Sequence, residues 1–539
     1  MNRFWKSGDP FIWLSGGALA ISLVMVAGLV TLVMVNGLGF FWPAPIARLT
    51  LTGGKELMGQ VAHREKIPQP GALPGTPERY RVQVRVGNRD LYGADFVWVD
   101  EANIVRRDFP AEAVLVERQE WGNLYGVIKE VRDGDRVVAR GSVEGWDALQ
   151  ARLSGATAAS QEIRRIEKQE IGAINYAQEK IRLRMKKLTH QGQEGSPEAS
   201  RLQQELEAWK VQFGEKEAKL AELRRQSQYT VVISAAGEKE KELLLGQIVR
   251  VYRPNAMGLL AKSGFYLSKV WEFVSGEPRE SNTEGGVFPA IFGTVMMVII
   301  MSLVVAPLGV LAAFYLREYA KQGPFVSAVR IAVNNLAGVP SIVFGVFGVG
   351  FFIYLVGGGI DRFFYPEALP TPTYGTGGIL WASLTLALLT VPVVIVATEE
   401  GLAAIPGGMR EASLALGATK FETTWRVVLP AVMPSILTGL ILAMARAAGE
   451  VAPLMITGVV KLAPSLPIDG FWPFLHLERK FMHLGFHIYD VGFQSPNVDA
   501  ARPMVYTTAL LLLLVVLVLN LAAILLRNRL RKKYAMAIM

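Results

Sequence analysis

The sequence predicts an all-α membrane core of six transmembrane helices that carries one inserted α+β domain, and three observations support this. Of the 539 residues, 51% are hydrophobic and only 19% are charged, which is below the roughly 25% charge of a soluble domain. The apolar residues fall in a few long runs, as a protein that spans a bilayer requires. Between the first two runs lies the most polar part of the chain, residues 41–285, named here the inserted domain.

Six stretches approach the length of about 20 mostly apolar residues that a spanning helix needs. They are residues 11–40, 289–316, 338–357, 377–397, 431–459 and 504–526. The first lacks a small-residue cleavage site near its end, so we interpret it as a retained span rather than a signal peptide. The last is followed by the basic residues Arg527, Arg529, Arg531, Lys532 and Lys533, which predicts a cytoplasmic C-terminus. Six spans then put both termini on that side, so that residues 1–40 hold a tail and the first helix, the inserted domain faces outward, and 531–539 form a basic tail.

The inserted domain begins with strand-like sequence. Residues 80–86 alternate between polar and apolar, 96–99 form a short apolar run, and Gly134 and Gly141 interrupt further extended stretches. Tyr229–Ser234 and residues 243–252 also read as strands. We therefore expect a β-rich domain into which the intervening segment is inserted.

That intervening segment, residues 151–228, predicts an antiparallel coiled-coil hairpin, called the hairpin below. Apolar residues at helical spacing mark its first half, and a turn follows at 192–197. In its second half a heptad seam runs through Leu202, Leu206, Trp209, Phe213, Leu220 and Leu223, with Lys216 at the one interrupted position. Each arm would be roughly 40 Å long at 1.5 Å per residue. A binding surface and a rigid spacer both remain open as its role.

The most specific pattern lies between the fourth and fifth spans, in residues 398–430, the docking segment. It contains Glu411-Ala412-Ser413, then Gly417 after three residues, then 427–430 (Val-Val-Leu-Pro) after nine. The spacing predicts a helix over 410–416, a turn that glycine permits, a second helix over 420–428 and Pro430 in the first turn of the next span. A polar helical projection of this kind indicates a docking element for another protein, and an ordinary amphipathic connector is the alternative.

The docking segment resembles the loop of permease subunits of bacterial ABC importers, which has Glu-Ala-Ala, Gly after three residues and Ile-x-Leu-Pro after nine. Serine replaces the second alanine here, and valine replaces isoleucine. The resemblance implies a type I permease core over 286–530 that is coupled to a dimer of a separate ATPase, which would bind ATP and Mg²⁺. It assigns the coupling to Glu411, Ala412, Gly417, Leu429 and Pro430. No phosphate-binding loop occurs in this sequence, so we expect neither ATP hydrolysis nor a catalytic site in this chain.

The fifth span holds two charges, Arg446 and Glu450, which lie 16 and 20 residues beyond Pro430. At 1.5 Å per residue this puts Arg446 near mid-membrane, where a charge costs at least a few kcal/mol. Their four-residue spacing would place both on one helix face. A guanidinium offers a planar fork to an oxyanion, so we predict a substrate pathway, with a structural ion pair as the alternative.

Three stretches resemble the A permease subunit of phosphate-specific transport systems, namely 335–345, 397–402 and 446–454. The resemblance covers roughly 286–530 and implies inorganic phosphate as cargo, a second permease subunit and a periplasmic phosphate-binding protein as partners, and the bacterial inner membrane as location. In the first stretch Gly338 and Ser341 could bring backbone N–H groups to an anion at a helix start, or the small residues could serve close helix packing. Most members have only a short loop after the first span, so the inserted domain departs from the common pattern. It is similar instead to a longer variant of the family with an N-terminal extracytoplasmic extension, to which no role is assigned.

Other interpretations remain at this stage. The cargo could be sulfate, molybdate or phosphonate, or the chain could be a phosphate-responsive sensor or scaffold that acts through the hairpin. His483, His487 and Asp490 have a spacing that could ligate a metal, but their aromatic neighbours favour a helix at the outer membrane interface and no metal. The net charge of +9 is spread along the chain, so the expected partner is the lipid bilayer and not nucleic acid.

Overall fold

Six helices within the described residues are long and apolar enough to cross a membrane, which confirms the predicted number of spans. The computed structural model describes residues 8–69, 78–226, 228–237, 239–279, 282–495 and 498–535, so parts of both predicted cytoplasmic tails lie outside the described residues. The spanning helices, numbered first to sixth below, are Phe11–Gly39, Phe288–Tyr319, Ser341–Phe364, Ile379–Ala404, Lys420–Gly449 and Ala501–Arg529. The first and sixth belong to longer helices, Asp9–Gly39 and Val498–Ala535. Shorter helices between them are Pro324–Leu336, Gly407–Ala415, Ala452–Thr457 and Leu484–Tyr489.

The chain divides into two compact units, one of Phe41–Gly286 with Pro366–Ala368 and the other of the spanning helices with their remaining loops. In the helical unit the fourth spanning helix is the centre of the core. Its Leu386 and Leu389 are fully buried and belong to one cluster with Met297 and Met301 of the second helix and Ala447 of the fifth. The second and fifth helices therefore both pack on one central helix.

Glycines allow these helices to pack closely against one another. A Cβ atom added to Gly309 would lie 2.7 Å from a methyl of Val394, and one added to Gly439 would lie 2.6 Å from the Cβ of Ala397. Both distances are shorter than real side chains tolerate, so only glycine permits the second and fifth helices to approach the fourth this closely.

Three predicted spans differ clearly from the structure in their bounds. The third, predicted over 338–357, runs from Ser341 to Phe364. The fourth helix continues seven residues beyond the predicted end, to Ala404, and so includes the start of the docking segment. The fifth span was predicted as one stretch over 431–459, but its helix ends at Gly449, and Glu450 is extended with ψ 137° before a short second helix begins at Ala452. The physical reason is Pro453, because its ring would clash with the carbonyl of Gly449 in a continuous helix.

Two antiparallel sheets form the inserted domain. The first consists of β1 (Ile46–Leu51), β2 (Glu56–Lys66), β3 (Tyr80–Arg85), β4 (Phe96–Asp100) and β5 (Ile104–Asp108), in the order β4-β3-β2-β1-β5. The second consists of β6 (Val114–Arg118), β7 (Leu124–Asp133), β8 (Arg136–Arg140), β9 (Tyr229–Ser234), β10 (Glu240–Leu244) and β11 (Ile248–Tyr252), in the order β10-β9-β7-β6-β11 with β8 paired to β7. The predicted alternation at 80–86 falls on β3, which buries Val82 and Val84.

The prediction of one strand over 243–252 was wrong. A single 3-10 turn, Leu245–Gln247, separates β10 from β11. The two strands then lie at opposite edges of the second sheet, because β10 pairs with β9 and β11 pairs with β6.

The hairpin is inserted between β8 and β9, which are neighbours of β7 in the second sheet. Its first arm runs through Glu144–Arg165, a wider π-helical segment Ile166–Ile171 and Gly172–His190, and its second arm is Pro197–Gln226. The first arm starts seven residues before the predicted 151 because its base belongs to the core of the sheet, where Leu149 is fully buried. Gly192, with φ +69°, makes the turn between the arms.

The predicted heptad seam on the second arm is only partly buried, because Leu220 is buried whereas Leu202, Leu206, Trp209, Phe213 and Leu223 are half-buried. Apolar residues of the first arm are buried more deeply. Ile174, Ile181 and Leu188 follow one another at seven-residue steps and are all buried. Lys216, at the interrupted seam position, forms an ion pair of 2.7 Å with Glu170 on the other arm. The interruption is thus filled by a charge pair between the arms, and the supercoil of a coiled coil stays a prediction.

The last helix of the inserted domain is Leu259–Ser275, and it is called the surface helix below. A two-residue antiparallel ladder follows it, in which Pro278–Arg279 pairs with Glu284–Gly285.

Candidate functional site

The docking segment is built around Gly417. A helix Gly407–Ala415 precedes it, and a helical turn Lys420–Thr423 follows it. Gly417 has φ +88° and donates its N–H to the carbonyl of Leu414 at 3.0 Å, so the turn needs a residue that tolerates the left-handed region. The next helix starts with a capping box in which the side chains of Thr419 and Glu422 each bond to the other residue's backbone N–H. The predicted helix–turn–helix is therefore present, three residues earlier than expected at its start.

The sequence predicted that Pro430 would lie in the first turn of a new helix, and the structure differs from this prediction. The helix that begins at Lys420 continues through a π-helical segment, Thr424–Val428, into Leu429–Gly449. A widened turn suits a proline inside a helix because proline has no N–H to donate. The second helix of the docking segment and the fifth spanning helix are consequently one rod.

Arg410 attaches the first docking helix to two spanning helices. Its Nη2 donates to Glu318 Oε1 at 2.9 Å and to the carbonyl of Leu402 at 2.9 Å, and its Nη1 donates to the carbonyl of Ile405 at 3.1 Å. Glu318 ends the second spanning helix, whereas Leu402 lies in the last turns of the fourth. One guanidinium thus caps one helix and forms an ion pair with another.

A second guanidinium, Arg330 on the helix Pro324–Leu336, repeats this arrangement. It donates to Glu399 Oε1 of the fourth spanning helix at 3.0 Å, to the side chain of Gln322 at 3.0 Å and to the carbonyl of Leu316 at 3.3 Å. Sequence reasoning missed both arginine clusters, because their partners lie 69 and 92 residues away and no local spacing connects them. The available signal was the position of Glu318 and Glu399, each two residues beyond the end of an apolar run.

The outer face of the docking segment is apolar and unusually exposed. Leu416 is 90% exposed and Phe421 is 67% exposed, and Leu414 and Trp425 are exposed beside them. The rings of Phe421 and Trp425 are stacked with centroids 6.3 Å apart. Exposed apolar patches of this kind mark surfaces that another protein covers.

The residues predicted for coupling lie on and below this face. Glu411, Ala412 and Gly417 are exposed, whereas Leu429 and Pro430 are half-buried on the continuing helix. The first three are therefore available to a partner, and the last two are positioned to carry a displacement into the fifth spanning helix.

Arg446 and Glu450 meet at the break in the fifth spanning helix. Arg446 lies in its last turn, where the negative end of the helix dipole favours a cation. Glu450 is the first residue beyond the helix, so the predicted common helix face does not exist. The two are nevertheless brought together, since Arg446 Nε lies 3.6 Å from Glu450 Oε1. That distance is too long for a hydrogen bond, so the ion pair is loose and the fork of the guanidinium is not used up by Glu450.

The stretch 335–345 contains both a turn and a packing surface. Gly338 closes the turn after Pro324–Leu336 by donating to the carbonyl of Asn335 at 3.0 Å, and Ser341 starts the third spanning helix directly after Pro340. A Cβ atom on Gly345 would lie 2.8 Å from the Cα of Pro453, which belongs to the short helix after Glu450. Close packing therefore explains Gly345, and an anion contact at Gly338 and Ser341 stays a prediction.

The segment with His483 and His487 is buried, which the interpretation as an interfacial helix did not predict. Leu484–Tyr489 packs on the second and sixth spanning helices, and Leu484 donates its N–H to Thr294 at 2.9 Å. Burial lowers the pKa of His483 to about 3. Its neutral ring accepts the N–H of Gly485 at 3.1 Å and starts the short helix as its N-cap. The role visible here is that of a helix cap.

Comparisons with known proteins concern the helical unit. Residues 305–535 match the family described as binding-protein-dependent transport system inner membrane component. The chain is 31% identical over 258 residues to the probable ABC transporter permease protein YqgI of Bacillus subtilis, which covers 47% of this chain and 81% of that protein. It is 34% identical over 243 residues to the phosphate transport system permease protein PstA 1 of Mycobacterium tuberculosis, over 45% of this chain and 71% of that protein. Among solved structures, inward-facing conformations of the MetNI methionine ABC transporter match with 21% identity and a TM-score of 0.33, over 49% of this chain and 98% of that chain.

Proposed function

This chain belongs to the inner-membrane permease components of binding-protein-dependent ABC transport systems, and from that premise we propose that it is the permease subunit of an ATP-driven importer of inorganic phosphate. The chain is a multi-pass protein of the inner membrane and is not itself an enzyme. Relatives of 30–34% identity that are named phosphate transport system permeases, from Mycobacterium tuberculosis, Yersinia pestis and Methanocaldococcus jannaschii, support phosphate as the cargo.

One structural observation carries the proposal, namely the loose ion pair of Arg446 and Glu450 at a break in a spanning helix. A guanidinium in this position attracts an oxyanion, and its planar fork matches two phosphate oxygens. Glu450 holds the guanidinium in place and limits how tightly an anion binds, because it competes for the same cation. A pathway site must release its cargo. A guanidinium whose charge is partly balanced by Glu450 therefore suits transport better than one without a carboxylate beside it. Gly338 and Ser341, at the start of the third spanning helix, are proposed to offer N–H groups to the passing anion.

The docking segment is proposed to bind a dimer of a separate ATPase, which holds ATP and Mg²⁺. Its exposed apolar face supports this, and so do Arg410 and Arg330, which fix it to the second and fourth spanning helices. Because the second docking helix is continuous with the fifth spanning helix, closure of the ATPase would act on the helix that holds Arg446 in its last turn. A second permease subunit would complete the pathway, and a periplasmic phosphate-binding protein would deliver the anion.

The orientation follows from the same proposal. If the docking segment faces the ATPase in the cytoplasm, counting spans puts both termini in the cytoplasm and the inserted domain, between the first and second spans, in the periplasm. The basic residues at the end of the sixth helix agree with this orientation.

The test is uptake of radiolabelled phosphate by cells that lack their own high-affinity system and carry the partner subunits with this chain. The Arg446→Gln variant should lose at least about 90% of the uptake, since replacing one charged contact by a neutral one costs more than 1.4 kcal/mol. The Arg446→Lys variant, which keeps the charge and loses the fork, should fall between the two. Excess sulfate, molybdate or phosphonate should not compete.

Normal uptake by a well-expressed Arg446→Gln variant would reduce the pair to a packing contact. Competition by sulfate would change the cargo, and absence of uptake even with the intact chain would contradict the permease proposal.

A further inference from the structure

The surface helix, Leu259–Ser275, has an apolar face that none of the described residues of its own unit covers. Leu260 is 91% exposed and Trp271 is 71% exposed, and Leu267 between them is exposed as well. Steps of seven and four residues put these three side chains on one side of the helix. Gly264 shares that side, and the neighbouring exposed positions are serines, an alanine and Leu259.

The opposite side of the surface helix is firmly attached to the inserted domain. Phe265 packs on Tyr252 of β11 with ring centroids 4.3 Å apart. Lys269 forms an ion pair of 2.6 Å with the buried Glu117 of β6, and Glu272 pairs with Arg279 at 2.8 Å. The charged residues of this helix therefore lie toward the domain or at its rim, and the exposed side carries no charge.

Two contacts within the domain tie the surface helix to the points where the chain enters and leaves the spanning helices. The first is aromatic: Phe41 lies 5.4 Å from Phe273 and 6.2 Å from Tyr266, and Trp42 lies 6.1 Å from Tyr266, between ring centroids. Phe41 and Trp42 come two and three residues after Gly39, the last residue of the first spanning helix. The surface helix therefore packs on the residues that directly follow the first span in the chain.

The second contact lies at the C-terminal end of the surface helix. Gly276, directly after it, is followed by the two-residue ladder, which folds back so that Gly286 donates its N–H to the carbonyl of Glu277 at 2.9 Å. Phe288, the first residue of the second spanning helix, comes two residues after Gly286. This end of the surface helix is therefore bonded to the residues that directly precede the second span in the chain.

We infer that the surface helix lies in the membrane interface, with Leu260, Leu267 and Trp271 inserted between the lipid headgroups, and that it anchors the inserted domain to the bilayer. A helix tied at two points to the ends of two spans is held at the depth where headgroups meet acyl chains. An uncharged face with leucines and a tryptophan is what this layer favours. The occupant of the face is therefore lipid, and this inference does not depend on which anion the permease carries.

The chain offers a clean test because it contains no cysteine. Single-cysteine variants Leu260→Cys, Leu267→Cys and Ser268→Cys would be made in the full chain, labelled with an environment-sensitive fluorophore and reconstituted in vesicles of phosphatidylethanolamine and phosphatidylglycerol. Part of the lipid carries a nitroxide on an upper acyl carbon. The matched control is Val211→Cys, an exposed apolar residue on the second arm of the hairpin.

We expect the lipid nitroxide to quench labels at 260 and 267 several-fold more than the label at 211, and aqueous iodide to show the reverse order. The label at 268 lies beside the apolar face, so both quenchers should quench it to an intermediate extent. This variant keeps both leucines and therefore still tests the inference if a leucine variant is unstable. Equal quenching at all four positions would overturn the inference. Labels at 260 and 267 that are protected from both quenchers would also overturn it, since a protein and not lipid would then cover the face. Neither readout requires transport, so a failed uptake assay and a failed anchor are distinguishable.

Discussion

Two helix pairs in this chain turn at a glycine in the left-handed backbone region, and they are built for different surroundings. Gly417 makes the turn of the docking segment with φ +88°, and Gly192 makes the turn of the hairpin with φ +69°. The docking pair leaves Leu416 and Phe421 exposed, whereas the hairpin buries Ile181 and Leu188 on one arm and Leu220 on the other. The same kind of glycine turn thus occurs in a helix pair with an exposed apolar face, which needs a protein partner, and in a helix pair that packs its apolar residues between its own arms.

Charge is used differently in the two pairs as well. In the docking segment, Arg410 is half-buried and serves one carboxylate and two backbone carbonyls. In the hairpin, ion pairs such as Arg224 with Glu167 at 2.7 Å lie on the surface. A half-buried cation with three acceptors is costly to lose, whereas a surface ion pair contributes at most about 1 kcal/mol. The comparison predicts that matched substitutions in the two pairs will have unequal effects on transport.

The largest difference should come from the two turn glycines. Valine at 417 requires a β-branched residue at a left-handed φ, which costs about 1–3 kcal/mol and shifts the turn. We expect Gly417→Val to lower phosphate uptake, and the amount of ATPase that co-purifies with the permease, by about tenfold or more, with normal membrane insertion. No side chain or backbone atom lies within 4 Å of a Cβ at this position, so the effect would arise from backbone strain alone.

The control for this prediction is the hairpin turn. Gly192→Val carries a similar strain but should leave uptake unchanged, and Gly417→Asn should recover part of the activity, since asparagine tolerates the left-handed region. Equal losses at 192 and 417 would contradict the comparison.

A smaller difference in uptake is expected between substitutions of the cationic side chains Arg410 and Lys216. Arg410→Gln leaves the carboxylate of Glu318 without its ion pair and two helix-end carbonyls without their donor. We expect a loss of about 1–3 kcal/mol in stability and a several-fold fall in ATP-driven uptake. Thermal unfolding of the purified permease and uptake measure these effects.

The matched substitution in the hairpin is Lys216→Gln, which removes the ion pair with Glu170. Its cost should stay below about 1 kcal/mol, with uptake unchanged. If Lys216→Gln impaired uptake as strongly as Arg410→Gln, the hairpin would have to take part in transport.

Removal of the outer half of the hairpin should have a small effect on transport. Residues 171–212 can be replaced by a short Gly-Ser linker, which keeps the base with Leu149 and Ile166 in place. We expect phosphate uptake to stay within about twofold of the intact chain, because the spanning helices and docking segment are untouched. Loss of uptake, or loss of a phosphate-dependent signal with uptake preserved, would assign the hairpin a working role and favour the sensor interpretation.

The smallest expected effect concerns the stability of the hairpin at acidic pH. A hydrogen bond from Arg165 lowers the pKa of Glu162, on the first arm of the hairpin, from 4.5 to about 2. Since the folded pKa lies below the unfolded one, the stabilisation is complete above about pH 4.5 and is lost as the pH falls toward 2. The Glu162→Gln variant should therefore lose less thermal stability than the intact chain between pH 5 and pH 3. Identical pH profiles would show that this exposed pair contributes nothing measurable.

Much of the fold could be predicted because its signals are local. Apolar runs identified all six spans, helical spacing identified the two arms of the hairpin, and the spacing around Gly417 identified the docking helices. The failures have a common cause. The break at Glu450 depends on Pro453, and the split of residues 243–252 depends on which neighbours β10 and β11 find, so neither follows from apolar pattern alone.

The sequence by itself determined that the chain spans a membrane six times, that an α+β domain is inserted after the first span, and that the docking segment follows the fourth, since periodicity and spacing encode these features. Only the tertiary structure decided that Arg410 meets Glu318, that Arg330 meets Glu399, and that Tyr266 of the surface helix meets Trp42 beside the first span. Those residues are 69 or more positions apart in the chain. Contacts between distant residues form only when packing brings their helices together, and no local pattern records that event.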